Sequence, residues 1–219
     1  MARPAGGRYK LADGTVVPSV TTVLGRFKNC GPLMYWSWRE GMEGRDFRET
    51  RDKAASIGSL CHKMLECDWR GTKLEKDDLR IYTEEQIDKA LRAFQGYRAW
   101  KEQSQLQVVE GEIPLVSERY KFGGTPDCIM VAGKLSLGDY KTSSGVYGDY
   151  LIQIAAYGQL WTENYPDRPI VGGYHLLRFS KETGDFEHRF FAELEKPWEA
   201  FKLMLQLYPL MNEIDKRAR

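Results

Sequence analysis

Residues 135–142 open with alternating apolar and polar side chains and close on Asp139-Tyr140-Lys141. A period of two marks a β-strand with one buried face. Residues two apart on a strand share a face, so the Asp139 carboxylate and the Lys141 ammonium point the same way. Val131 on one side and Leu135 to Leu137 on the other flank Gly133-Lys134. That pattern predicts a turn, and a hairpin joining the Asp127 segment to the Asp139 segment. Such a hairpin brings two carboxylates and a lysine to the rim of one sheet, a set suited to a hard divalent cation. An Asp and a Lys two apart also occur as a solvated ion pair on an exposed strand. Here the strand emerges from an apolar run, the place where functional groups often sit.

Upstream, residues 47–69 have helical spacing, with Ile57, Leu60, Cys61, Met64 and Leu65 in one apolar stripe. His62 lies beside that stripe. It suits either a hydrogen-bonded core histidine or a ligand for manganese and, less favourably, magnesium. Gly58 in the same helix costs roughly 1 kcal/mol relative to alanine. The cost makes sense where another backbone, or a nucleic-acid strand, passes close. Downstream, Gln153 and Tyr157 are four apart on a predicted helix and share one face, turned either to the core or to the Asp-Tyr-Lys end of the strand.

Taken in order, Gly58-Ser59-x-x-His62, Gly123-Gly124-Thr125-Pro126-Asp127, Asp139-Tyr140-Lys141-Thr142 and Gln153-x-x-x-Tyr157 resemble the RecB-like branch of the PD-(D/E)XK nuclease superfamily. The resemblance covers nearly half the chain. It implies that His62, Asp127 and Asp139 are metal ligands, with the backbone carbonyl of Tyr140 as another, and that Lys141 is the catalytic lysine. By the same resemblance Gln153 and Tyr157 face the active site, and Glu112 is an acidic strand position ahead of the Asp127 segment. The implied activity is that of a Mg2+- or Mn2+-dependent DNA exonuclease, acting at DNA ends in recombination, repair or phage genome processing. The same motifs serve endonucleases and flap nucleases. A non-catalytic nucleic-acid-binding module of this fold would lack a ligand or the lysine, and all are present. Lys141 is expected to act through its charge, because a general base would need a pKa far below the ordinary lysine value of about 10.4. Relatives with an iron–sulfur cluster carry one cysteine upstream and three near the C-terminus. Cys30, Cys61, Cys67 and Cys128 do not match that layout, and without a C-x-x-C pair neither a cluster nor structural zinc is expected.

A length of 219 residues suits one domain, here an N-terminal hairpin and helical region (about 1–105) packed on a core (about 106–219). No apolar run is long enough for a membrane span, the first residues lack the apolar core of a secretory signal, and unpatterned cysteines suggest reduced thiols, so a cytoplasmic setting is expected. The net charge of +1 excludes a uniformly basic protein. A nuclease needs only a local positive track. Residues 1–30 hold five basic side chains, among them Arg26 and Lys28, against Asp13 alone. Tyr35, Trp36, Trp38 and Arg39 follow, and suit either a surface that stacks bases of single-stranded DNA or an amphipathic packing helix.

The expected elements are a hairpin over 8–17, a helix capped by Ser19, helices over 32–41, 47–69, 84–102, 149–164 and 197–214, and strands over 106–116, 120–131, 135–141, 169–179 and 186–192, the last two joined at Thr183-Gly184. A charged surface segment is expected over 71–78. This order predicts an α/β fold with a central mixed sheet flanked by helices, the architecture of restriction-endonuclease-like cores.

Overall fold

The structure, a computed structural model, describes residues 8–110, 113–143, 145–180 and 186–218, with the backbone alone at 109–110 and 127–130. The chain opens with β1 (Tyr9–Lys10) and β2 (Val16–Val17), paired antiparallel around a turn that needs the left-handed Gly14. Helices α1 (Val20–Phe27), α2 (Gly31–Met42), α3 (Phe47–Arg70), α4 (Lys76–Leu79) and α5 (Glu84–Ser104) follow. Ser19 caps α1 as expected, its hydroxyl accepting from the Thr22 N–H at 3.0 Å. The charged segment expected over 71–78 contains the single turn of α4.

Strands β3 (Gln107–Glu110), β4 (Leu115–Ser117), β5 (Phe122–Gly124), β6 (Asp127–Val131) and β7 (Lys134–Lys141) come next. The two long strands expected over 106–116 and 120–131 are each divided. Pro114 and Pro126 have no N–H to give a ladder, and they lie at the breaks. The pieces β4 and β5 form a separate two-stranded sheet. The turn before β7 is Ala132-Gly133, one residue earlier than expected, with φ of 49° and 75°. Positive φ at both positions is what a two-residue hairpin turn requires.

Helix α6 (Gly148–Asn164), β8 (Tyr174–Phe179), β9 (Phe186–Phe191) and α7 (Glu195–Arg217) complete the chain. The expected loop at Thr183-Gly184 lies outside the described residues. The main sheet runs β3-β6-β7-β8-β9, antiparallel except for the β7–β8 pair. Those two are parallel because α6 carries the chain back across one face between them. Val20, Leu137, Ile154, Trp161 and Phe201 fill the core on the α1, α6 and α7 side, and Leu60, Leu65, Tyr97, Tyr140 and Phe179 fill that on the α3 and α5 side. Leu137 and Tyr140 thus leave β7 in opposite directions. Asp139 and Lys141 have the parity of Leu137.

The helix α2 is anchored by a polar group. Glu40, its one buried residue among those described, accepts from Arg45 Nε and Nη2 at 2.8 Å each and from the Thr50 hydroxyl at 3.0 Å. The Arg45 hydrogen bonds, with help from Thr50, hold the Glu40 carboxyl down to about 2 from an ordinary 4.5. A depressed carboxyl contributes stability that is fully present above its unfolded value and is lost as pH falls through its folded one. Glu40→Gln should therefore lower the melting temperature at neutral pH. The difference from wild type should shrink between pH 4.5 and pH 2 in thermal scans across an acid series.

Candidate active site

The C-terminal end of β7 carries two nearly buried charges, with side-chain exposures of 10% for Asp139 and 17% for Lys141. The Lys141 ammonium donates to Asp139 Oδ1 at 3.1 Å and to Gln153 Oε1 at 3.0 Å, and lies 2.8 Å from Asp139 Oδ2. Gln153 Nε2 donates in turn to the Tyr157 hydroxyl at 2.9 Å. The helical spacing of Gln153 and Tyr157 on α6 therefore does face the strand end. Tyr150, one turn earlier on the same face, holds its ring centroid 4.8 Å from the ammonium. The expectations above leave Tyr150 out, although extending the Gln153–Tyr157 face back by three residues finds it.

These groups line a cavity of about 670 Å3 between β7, α6, α3 and the N-terminal end of α1. His62 is exposed and lines it, on the wall supplied by α3, so this histidine does not belong to the apolar stripe beside it. Gly58 lies one turn before it. A Cβ there would come 2.8 Å from the Thr142 hydroxyl, so the close neighbour that this glycine admits is the residue following β7. Tyr9, Ser19, Thr21 and Thr125 also reach the cavity, with the Tyr9 hydroxyl 2.6 Å from Thr125 Oγ1. Their contribution is long-range in sequence and had no local signal.

Tyr140 places its side chain on the far face, buried among Trp69, Tyr97 and Phe179. Asp127 begins β6, opposite Gly138 on the ladder. The Asp127 side chain and all of Glu112 lie outside the described residues. Among the described side chains, no three potential metal ligands cluster.

Asp139 Oδ2 is buried, and the Lys141 ammonium at 2.8 Å is its one partner among the described residues. A carboxylate at the edge of a polar cavity fits a hard cation such as Mg2+ or Mn2+.

The four residues expected to contact nucleic acid are not on the cavity wall. Trp36 is half-buried, its ring edge-on to Phe47 at 6.3 Å. Arg26 pairs with Asp215 at 2.8 Å, Lys28 lies 3.6 Å from Asp149, and Arg39 lies 4.0 Å from Glu43. The exposed rings are those of Tyr35 and Trp38, 5.7 Å apart, with Met34 and Met42 along the same helix.

The family model of the PD-(D/E)XK nuclease superfamily matches residues 21–215. The chain belongs to this superfamily. Among solved structures the chain is similar to a candidate exonuclease from Eubacterium rectale, with 12% identity and a TM-score of 0.47. The likeness covers 69% of this chain and 64% of that one, under two thirds of that structure's length. None of the curated proteins matches.

The Tyr157 end of the hydrogen-bonded chain from Lys141 is braced by β5. A Cβ on Gly124 would stand 2.7 Å from Tyr157 Cε1 and 2.9 Å from Leu160 Cδ1, both in the packed core. Overpacking of that kind costs about 1–3 kcal/mol. Gly124→Ala should lose stability by that amount in urea unfolding, and it should displace the phenol that ends the Lys141–Gln153–Tyr157 chain.

Proposed function

We propose that this protein is a metal-dependent DNA exonuclease that hydrolyses phosphodiester bonds at DNA ends. The observation that carries the reading is the nearly buried Asp139–Lys141 pair on the wall of a polar cavity, with Lys141 held by both Asp139 and Gln153. Asp139, Asp127, His62 and the Tyr140 carbonyl are the groups that would hold Mg2+ or Mn2+. Once bound, such an ion polarises the phosphoryl group and makes water a better nucleophile.

The chain's own residues do the rest. Lys141 is fixed by Asp139 and Gln153, so its ammonium needs no reorganisation to meet the negative charge that develops on the phosphoryl oxygens. Tyr157 holds Gln153, and Gln153 holds the lysine. The Tyr150 ring restricts the ammonium from its remaining side and offers a face to the nucleotide being removed. Ser19 and Thr21 add hydroxyl groups to the opposite wall.

Single-stranded DNA is gripped on α2, by Tyr35 and Trp38 instead of Trp36, with Arg39 beside them. Stacking on exposed rings contributes roughly 1–3 kcal/mol per base. A role in recombination, repair or phage genome processing rests on the resemblance of the four motifs.

Two experiments test this reading. Asp139→Asn and Lys141→Met should each slow cleavage of end-labelled DNA by at least about 100-fold with near-UV circular dichroism unchanged. Asp127→Asn should weaken the response to added Mg2+, and chelation should stop the wild type. Near-normal cutting by the Lys141 variant would remove the lysine from the mechanism. In the second experiment, linear single strands should be degraded and closed circular ones spared. Tyr35→Ala with Trp38→Ala should weaken binding of a labelled single strand to the Lys141→Met protein. Equal cutting of circles and linear strands would defeat the end requirement, and unchanged affinity would clear α2 of the role.

A further inference from the structure

Helix α7 has two apolar faces, and the fold uses one. Phe201 is fully buried, and Trp198, Leu205 and Tyr208 pack with it onto the core of α1 and α6. Leu203, Leu207, Leu210 and Ile214 follow one another at intervals of four, three and four, and all are exposed, by 43–67%. At roughly 100° per residue these four fall on the side of the helix directly away from Phe201. Alternating intervals of three and four are the spacing of a helix-pairing seam. A solvent-facing helix side needs no such row, and contiguous apolar surface of this kind marks an interaction site.

We infer that this seam docks antiparallel on the same seam of a second copy of the chain. The charges beside it select that occupant. Glu199 and Arg217 flank the seam on one edge, near its two ends, and both are exposed; Arg217 also pairs with Glu213 one turn back at 2.6 Å. About a two-fold axis between Leu207 and Leu210, Leu203 meets Ile214 of the partner subunit, and Arg217 falls beside Glu199 of the partner subunit. The symmetry makes each contact twice. A parallel pairing would instead set this edge against the opposite edge of the partner subunit, and the Arg217–Glu199 contact would be lost. The strip from Glu199 to Arg217 is about 27 Å long and about 10 Å wide. That is small beside the roughly 800 Å2 per partner of a standard interface, so the dimer belongs to the weak, concentration-dependent class.

Sedimentation equilibrium of the full chain from about 1 µM to 1 mM tests this. The wild type should pass from monomer to dimer over that range. Leu207→Glu combined with Leu210→Glu should remain monomeric with its melting temperature and DNA cleavage unchanged, because the seam touches neither the core nor the cavity. Arg217→Glu or Glu199→Arg alone should weaken the dimer at least about tenfold, and the two together should restore it. A wild type that stays monomeric throughout, or a dimer that survives the leucine variant, would overturn the inference. Failure of the paired reversal to recover association would overturn the antiparallel arrangement. None of these readouts depends on nuclease activity.

Discussion

A buried carboxylate and a buried ammonium side by side make the end of β7 costly to build and hard to rearrange. Either charge alone in a low-dielectric interior costs several kcal/mol, and the pair offsets that only when the remaining donors and acceptors are met. Lys141 meets Asp139 and Gln153, Gln153 meets Tyr157, and the Tyr157 ring packs on Gly124. Strand, helix and the small second sheet are thus tied to one ion pair. Asp139 itself is met by the lysine, and both line the cavity. The superfamily pattern of an acid and a lysine two apart is therefore physically coupled to a helix that must lie over that strand end.

The central strand, the His62 helix and the Gln153–Tyr157 face were legible in the sequence because each is a local period of two or 3.6 residues. What the sequence obscured is set by contacts between distant segments or by a single backbone choice. The turn of the β6–β7 hairpin moved by one residue because Ala132 accepts a positive φ beside Gly133, and that step decides which residue Asp127 faces. The prolines at 114 and 126 were visible, yet their power to cut two strands depended on which N–H groups the sheet required.

On α2, Tyr35, Trp36 and Trp38 project around most of the helix, so composition could not say which ring meets Phe47 and which meet solvent. Nor does a basic count over residues 1–30 amount to a positive field. Arg26 and Lys28 are met by Asp215 and Asp149, acids supplied by the two helices that pack nearby late in the chain. Two of the five basic charges counted along the sequence thus have partners that only the fold brings near.

The parallel step from β7 to β8 has a consequence for the order in which the site comes together. Lys141 and the two α6 residues that hold it are close neighbours along the chain, so this half of the site closes a short loop at small entropic cost. The opposite walls, α1 and the His62 turn of α3, belong to the N-terminal half and must dock across a long separation, which is the slower kind of contact. The lysine's contacts are thus the entropically cheaper part of the site, and the cavity needs the long-range docking of α1 and α3 as well. A site enclosed by both halves of the chain makes its competence a report on completed folding.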